Sequence, residues 1–223
     1  MSVIIAFVSQ KGGTGKSTLA RALGAVVAAA GLKVRIADLD PQQRTVLEWE
    51  RLRQENRNVP PLLVEAFRGA AEALKTAQDD ELLILDAPAH ASSATLQIAA
   101  AATLVVQPSS ASIDDLRPAV LLFHELIEAG IPRERLAVAL CRILTPGEEK
   151  LARQYLAKAT YDVLPGCIPE RALYRDAHSR GHAVTETDRT HNAQVETLME
   201  GLYARVAQEL VRARRTRKRR EKP

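Results

Sequence analysis

The sequence predicts an α/β fold in which one doubly wound, mostly parallel sheet is flanked by helices. A β-rich apolar run at residues 3–8 leads through a Gly-rich loop into helix formers, and a second apolar run follows Gly31. Strand-forming and helix-forming stretches then alternate along most of the chain, which is typical of parallel sheets. The apolar runs contain no regular polar alternation, as expected for strands that helices cover on both faces.

The individual elements follow from the same patterns. Strands are predicted at 3–8, 34–38, 82–85, 103–106 and 136–140, and helices at 16–30, 45–56, 70–77, 94–102, 113–129 and 148–159. A last long helix is expected because apolar residues recur there at helical spacing, so that one face packs. Those residues are Val195, Leu198, Leu202, Val206 and Leu210.

Composition indicates one globular domain, which we place at residues 1–211. The 223 residues are 46% hydrophobic and 26% charged, which is ordinary for a folded chain. No apolar stretch approaches the length that spans a bilayer, and the start lacks the basic region of a secretory signal. We therefore expect a protein that is neither embedded in a membrane nor exported, with Cys141 and Cys167 as reduced thiols.

The positive charge is concentrated at the C-terminus. Residues 212–222 hold eight basic side chains and one acid, Glu221, which gives 8 − 1 = +7. The whole chain carries +4, so the rest carries 4 − 7 = −3. Residues 212–223 are expected to form a solvated helical extension or a frayed tail outside the domain.

The strongest motif lies between the first strand and the first helix, where residues 10–17 read Gln-Lys-Gly-Gly-Thr-Gly-Lys-Ser. A triphosphate needs inward-facing backbone N–H groups, glycines that allow the turn, a lysine on the β- and γ-phosphates and a hydroxyl for Mg²⁺. All are present, although Gln10 replaces the first glycine of G-x-x-x-x-G-K-[ST]. The expected nucleotide-binding residues are Gly12, Gly13, Thr14, Gly15, Lys16, Ser17 and Thr18.

The loop contains a second lysine, Lys11, which distinguishes it from the standard G-x-x-x-x-G-K-[ST] motif. Residues 11–18 resemble the deviant Walker A motif of the ParA/MinD family of ATPases, most closely that of the short ParA plasmid and chromosome partition proteins. The resemblance implies ATP and Mg²⁺ as cofactors. It also implies a homodimer bridged by ATP, in which Lys11 reaches the nucleotide of the partner subunit.

Two further segments are similar to this family in the same chain order. Residues 38–42, Asp-Leu-Asp-Pro-Gln, resemble its D-x-D-P-Q segment, which implies that Asp40 orients the attacking water and that Asp38 supports the metal or the loop. Residues 82–86 resemble a Walker B strand that ends at Asp86. The resemblance thus implies catalytic roles for Lys11, Lys16 and Asp40, and metal-site roles for Ser17, Asp38 and Asp86.

The late part of the chain supplies candidates for the base and for DNA. Arg142 stands where the family has an arginine near adenine, although Cys141 replaces the usual Asn and a solvated arginine is an equal alternative. Residues 168–181 resemble the late helix that carries DNA-contacting arginines in short ParA proteins. With the tail they are expected to form one cationic face that binds DNA without sequence preference; a merely solubilising tail is the alternative. These candidates are Arg171, Arg175, Arg180, Arg212, Arg214, Arg215, Arg217, Lys218, Arg219 and Arg220.

The resemblance implies a partition ATPase of the cytoplasm and nucleoid that dimerises on ATP, holds DNA and releases it on hydrolysis. A ParB-like centromere-binding partner would stimulate that hydrolysis. A MinD-like membrane-associated ATPase and a ParA-like adaptor for protein cargo or conjugation machinery are the alternatives. Against the membrane alternative, no large apolar residue follows Val211.

Overall fold

A computed structural model describes residues 2–40, 42–56, 59–77, 79–89, 92–188, 190 and 192–220, without the side chains of 92, 214 and 216–220. Eight strands are seen in this part of the chain: β1 (Val3–Phe7), β2 (Val34–Asp38), β3 (Leu63–Ala66), β4 (Leu82–Asp86), β5 (Leu104–Ser109), β6 (Leu136–Ile143), β7 (Asp162–Val163) and β8 (Ile168–Pro169). The α-helices are α1 (Lys16–Ala29), α2 (Thr45–Glu55), α3 (Ala70–Thr76), α4 (Ser92–Ala101), α5 (Ile113–Glu128), α6 (Pro146–Lys158), α7 (Ala172–Ser179) and α8 (Ala193–Arg220).

The strands form one twisted sheet in the order β3-β2-β4-β1-β5-β6-β7, and β8 pairs with the end of β6. Every described pairing is parallel. The strand order reverses at β1, so that the connections place helices on both faces. The predicted fold class is confirmed.

The core consists of two apolar layers, one on each face of the sheet. The central strands β4 and β5 are buried along their whole length, which explains their unbroken apolar sequence. One layer is formed with α1, α2 and α8, and the other with α3, α4, α5 and α6.

Three short strands differ from the sequence prediction. β3, β7 and β8 were not expected, and each contains exposed or half-buried positions. They lie at or beyond the ends of the sheet order, where alternating burial and a length of two to four residues leave little apolar signal. Consequently the helix expected within 168–181 begins at Ala172, after β8.

The last helix packs as its spacing predicts. Val195, Leu198, Leu202 and Val206 are fully buried, and α8 then continues without a break to Arg220. The tail is therefore a helical extension as far as residue 220. Within the described residues, no helix is both long and apolar enough to cross a membrane.

The two edges of the sheet present different groups. At the edge where the strands end, Phe7, Asp38 and Asp86 lie level on three neighbouring strands. At the edge where the strands begin, α8 pairs Arg205 with Asp162, the first residue of β7. The tail therefore leaves the domain from the edge opposite to the Gly-rich loop.

Candidate nucleotide-binding site

The Gly-rich loop between β1 and α1 contains two glycines with a positive φ. Gly13 and Gly15 adopt φ values of +70° and +117°, which side chains strongly disfavour. A Cβ on Gly15 would also lie 3.1 Å from the Sγ of Cys141. The first turn of α1 has no side-chain cap and no acidic residue, so its free N–H groups are available to a phosphate.

Lys16 opens α1 and is buried beneath this loop. Its Nζ donates to the carbonyl of Lys11 at 3.1 Å. Burial lowers the pKa of Lys16, while Asp86 and Asp40 act in the opposite direction. A half-satisfied, poorly hydrated ammonium at a helix start suits a phosphate oxygen.

Ser17 and Asp86 form the candidate metal site. The Ser17 hydroxyl donates to Oδ2 of Asp86 at 2.7 Å, and Oδ1 of Asp86 is buried without a hydrogen-bond partner. Burial raises the pKa of Asp86 to about 7. A cation would supply what this orphaned oxygen lacks. The described residues contain no group of three or more His, Cys, Asp or Glu able to hold a metal.

Asp38 and Asp40, which follow one another closely at the end of β2, make different contacts. Pro41, the next residue, lies outside the described residues. Asp38 is buried, and its carboxylate accepts from the backbone N–H groups of Asp40, Val46 and Leu47. These contacts support the role of Asp38 in holding the loop, and its metal-site role stays a prediction. Asp40 lies at the pocket, where its Oδ1 accepts from the N–H groups of Gln42 and Gln43.

Lys11 contacts α5 and is not among the residues that line the cavity beside Lys16. Its Nζ donates to the carbonyl of Asp114 and forms an ion pair with Asp115 at 2.8 Å, both in the first turn of α5. Burial would raise the pKa of Asp115, but hydrogen bonds from Lys11 and Ser110 hold it below its ordinary value.

Of these groups, the Gly-rich loop, Lys16, Ser17, Asp40 and Asp86 line one cavity of about 510 Å³, a size suited to a nucleotide. Its wall combines the Gly-rich loop, the start of α1, the ends of β2 and β4, and one side of α7. The lining residues used below are Gly12, Gly13, Gly15, Lys16, Ser17, Thr18, Arg21, Asp40, Asp86, Arg142, Tyr174 and His178.

Arg142 adopts a left-handed backbone and lies over the loop. Its guanidinium donates to Glu170 at 3.1 Å and to the carbonyl of Gly13 at 3.3 Å. The residue is therefore at the pocket, as expected, and is held there by its own chain. Cys141 and Cys167 are free and buried, and burial raises the pKa of both thiols, so they remain protonated.

Some of the candidate DNA-contacting arginines whose side chains are described line two different hollows. Arg171 and Arg175 line the nucleotide cavity, whereas Arg212 lines a hollow beside Thr103 and Arg135 at the opposite edge. For these described side chains a single cationic face is not seen, and DNA binding by the full set of candidates stays a prediction. Arg175 and Arg180 are exposed and pair with Glu170 and Asp176.

In the tail itself, Arg212 pairs with Glu209 and Arg215 is exposed. The side chains of Arg214, Arg217, Lys218, Arg219 and Arg220 lie outside the described residues.

Sequence reasoning missed three residues that belong to this region: Asp115, Arg21 and His178. Arg21 carried a usable signal, because it is the single charged residue between Ser17 and Lys33 in an otherwise apolar helix. Asp115 and His178 carried none, because only the folded chain brings them to Lys11 and to the cavity.

Comparison with known proteins identifies the family. The model of the CobQ/CobB/MinD/ParA nucleotide-binding domain matches residues 5–184. The chain belongs to this family. It is 35% identical over 217 residues to the chromosome-partitioning ATPase Soj of Thermus thermophilus, an alignment that covers 82% of this chain and 87% of Soj.

Solved structures of the same fold cover nearly the whole chain. The MinC:MinD cell division protein complex of Aquifex aeolicus matches with a TM-score of 0.72 at 19% identity, over 91% of this chain and 95% of that chain. A putative plasmid partition protein of Borrelia burgdorferi bound to AMPPNP matches with a TM-score of 0.71 at 16% identity, over 92% and 100%. As a ParA/MinD family member, this chain is a nucleotide-binding ATPase domain that uses ATP and Mg²⁺.

Proposed function

We propose that this family member is a ParA-type partition ATPase of the cytoplasm and nucleoid. It dimerises on ATP, binds DNA without sequence preference and releases the DNA after hydrolysis. The similarity to Soj, which is named a chromosome-partitioning ATPase, supports this choice within the family.

The direction of Lys11 is the observation that carries the proposal. Its ammonium leaves its own loop for α5, while Lys16 remains in the cavity. A lysine so placed serves a phosphate that arrives from outside the chain, and a twofold-related copy supplies one. The Lys11–Asp115 pair is partly exposed and contributes about 1 kcal/mol at most. The multiple negative charges of an incoming triphosphate are sufficient to displace Asp115 from Lys11.

Hydrolysis then depends on positioning within each site. Lys16 and the N-terminal N–H groups of α1 hold the phosphates, and Asp40 holds the attacking water in line with the γ-phosphate. Ser17 and Asp86 would hold Mg²⁺, which would supply neutralisation of phosphate charge when bound. The two lysines neutralise charge from opposite sides, so loss of the γ-phosphate removes the contact that joins the subunits.

DNA is held through phosphates by cations at two places on each subunit, α7 and the tail of α8. Arginine and lysine contacts to phosphate carry no base code, so binding is independent of sequence and steeply dependent on salt. A ParB-like centromere-binding protein is the proposed partner that accelerates hydrolysis. Slow turnover without this partner suits an ATPase that works as a timer.

ATP turnover measured with and without nonspecific duplex tests the proposal. Lys11→Ala is expected to lose ATP-dependent dimerisation, because the cross-subunit contact is gone. Asp40→Ala is expected to stay dimeric and bound to DNA but to hydrolyse poorly. Lys33→Ala, which removes an exposed lysine before β2, is the matched control and should behave as wild type.

Co-sedimentation separates the proposal from its rivals. ATP-loaded protein is expected to sediment with DNA-coated beads and not with anionic liposomes. Sedimentation with liposomes alone would favour a MinD-like role, and normal dimerisation by Lys11→Ala would remove the basis for the partition mechanism.

A further inference from the structure

Arg21 is a charged residue of the cavity wall to which the mechanism above assigns no role. It lies on α1 one turn after Ser17, on the same side of the helix, and is only 6% exposed. A guanidinium in such a position costs free energy unless its donors and its charge are used. The groups that Arg21 contacts therefore indicate its role.

The contacts of Arg21 lead to α2. One terminal nitrogen donates to the carbonyl of Thr45, the first residue of α2, at 2.6 Å. The guanidinium also lies 5.3 Å from the ring centroid of Trp49, one turn further along α2. Its Nε is buried without a hydrogen-bond partner. Arg21 thus forms a direct link between the phosphate-binding helix and the start of α2.

The charge of Arg21 is retained at neutral pH. Burial lowers the pKa of Arg21 to about 10, and the nearby carboxylates of Asp86 and Asp38 oppose this shift. The hydrogen bond to Thr45 is therefore charge-assisted, and such bonds are stronger than neutral ones.

The start of α2 is also the part of the chain that sets the direction of Asp40. The Asp40 side chain accepts from the N–H groups of Gln42 and Gln43, and the N–H of Arg44 donates to the Asp40 carbonyl. From the sheet side, Asp38 holds the N–H groups of Asp40, Val46 and Leu47. Asp38 anchors this segment to the sheet, and Arg21 anchors it to α1.

We propose that Arg21 is a positioning residue for ATP hydrolysis, holding the first turn of α2 against α1 so that Asp40 faces the phosphates bound at the start of α1. This inference rests on the proposed role of Asp40 in orienting the water. It assigns to Arg21 a function in turnover and none in nucleotide affinity, because Lys16 and the loop bind the phosphates without it.

Removal of Arg21 should not release α2 from the domain, because the far side of the helix has separate anchors. Trp49 donates to the carbonyl of His182, and Arg53 makes a two-pronged ion pair with Glu186 and also donates to the carbonyl of Gly181. The expected change is a looser first turn of α2 within a folded protein.

The test is steady-state ATP hydrolysis by Arg21→Met, which keeps an unbranched side chain and removes the donor and the charge. We expect kcat to fall about 10- to 100-fold, because small misplacements of a catalytic group have effects of this size. KM for ATP and ATP-dependent dimerisation should stay within about twofold of wild type, because ground-state binding is retained. Arg21→Lys keeps the charge but loses the planar stack, and should lower kcat about threefold or more at unchanged KM.

Arg133 offers a matched control. It stacks on Tyr161 at 4.6 Å and donates to the carbonyl of Thr160, so it has the same kinds of contact at the opposite edge. Arg133→Met should leave kcat unchanged.

Measuring Asp40→Ala in parallel separates two hypotheses: the positioning role of Arg21 and the proposed role of Asp40 in hydrolysis. Wild-type kcat in Arg21→Met with an inactive Asp40→Ala would overturn the role of Arg21 alone. Full activity of Asp40→Ala would overturn the proposed function first. A rise in KM that matches the fall in kcat/KM would make Arg21 a binding residue, contrary to the proposal. If Arg21→Met does not fold, the same criteria apply to Arg21→Lys.

Discussion

The two edges of the sheet use charge in opposite ways. At the nucleotide edge, Lys16, Asp38 and Asp86 are at least nine-tenths buried, and each is held by a specific partner. At the other edge, α8 leaves the core after Leu210 and carries exposed charges such as Arg212 and Arg215. Buried charges interact strongly with specific partners, because the surrounding dielectric constant is low. Each exposed charge interacts weakly and is screened by salt, so the effect of such charges depends on how many there are. We therefore expect a single substitution to have a large effect on function at the first edge. At the second edge, we expect the effect to grow gradually with the number of substitutions.

The largest effect is expected from Lys16→Ala. This change removes the buried ammonium proposed to hold the phosphates, a cation that also interacts electrostatically with Asp86 and Asp40. We expect a loss of ATP affinity of about 100-fold or more, which corresponds to roughly 3 kcal/mol. Isothermal titration with a non-hydrolysable ATP analogue and Mg²⁺ measures it. Affinity within tenfold of wild type would mean that the backbone alone binds the nucleotide.

A graded effect is expected when the eight basic residues of the tail are replaced by Gln in steps. The log–log slope of DNA affinity against salt concentration should become shallower by about 0.9 for each phosphate that the tail no longer neutralises. ATP affinity should not change, because the tail leaves from the opposite edge. Fluorescence anisotropy with a labelled duplex at several salt concentrations provides the slopes. An unchanged slope for the fully neutral tail would assign DNA binding to α7.

The smallest effect concerns His178, which faces Arg21 at the cavity wall. Burial, and then the charge of Arg21, lower the pKa of His178 from 6.5 to about 4. Between pH 6.5 and pH 4, the unfolded chain therefore binds a proton at His178 that the folded chain does not bind. The contribution of neutral His178 to the free energy of unfolding is complete above pH 6.5 and is lost as the pH falls towards 4. Allowing for solvent screening, this amounts to about 1–2 kcal/mol.

His178→Gln should accordingly flatten the decrease in thermal stability between pH 7 and pH 5. His124→Gln, which removes an exposed histidine of α5, is the control and should retain the wild-type slope. Equal slopes for wild type and His178→Gln would show that His178 is protonated freely in the folded state.

The sequence predicted the central fold and the position of the Gly-rich loop at the cavity because both depend on local patterns. The strands at the centre are continuous apolar runs, and the Gly-rich loop is contiguous in the chain. β3, β7 and β8 were missed because short, partly exposed strands form through pairing that no local pattern encodes. The pair of Lys11 with Asp115 joins residues about a hundred positions apart, and the separation of α7 from the tail depends on the direction of α8. Long-range placement of this kind is set by tertiary packing.

The central claim is that Lys11 acts on the nucleotide of the partner subunit, and mixing two inactive variants tests it most directly. In a mixed dimer of Lys11→Ala and Lys16→Ala, the first chain retains Lys16 and receives an intact Lys11 from the second. The mixed dimer has one complete site and neither homodimer has any, so turnover should recover on mixing, to at most about half of the wild-type rate. If the mixture stays as inactive as its components, while each variant is folded, Lys11 serves its own chain and the account is contradicted.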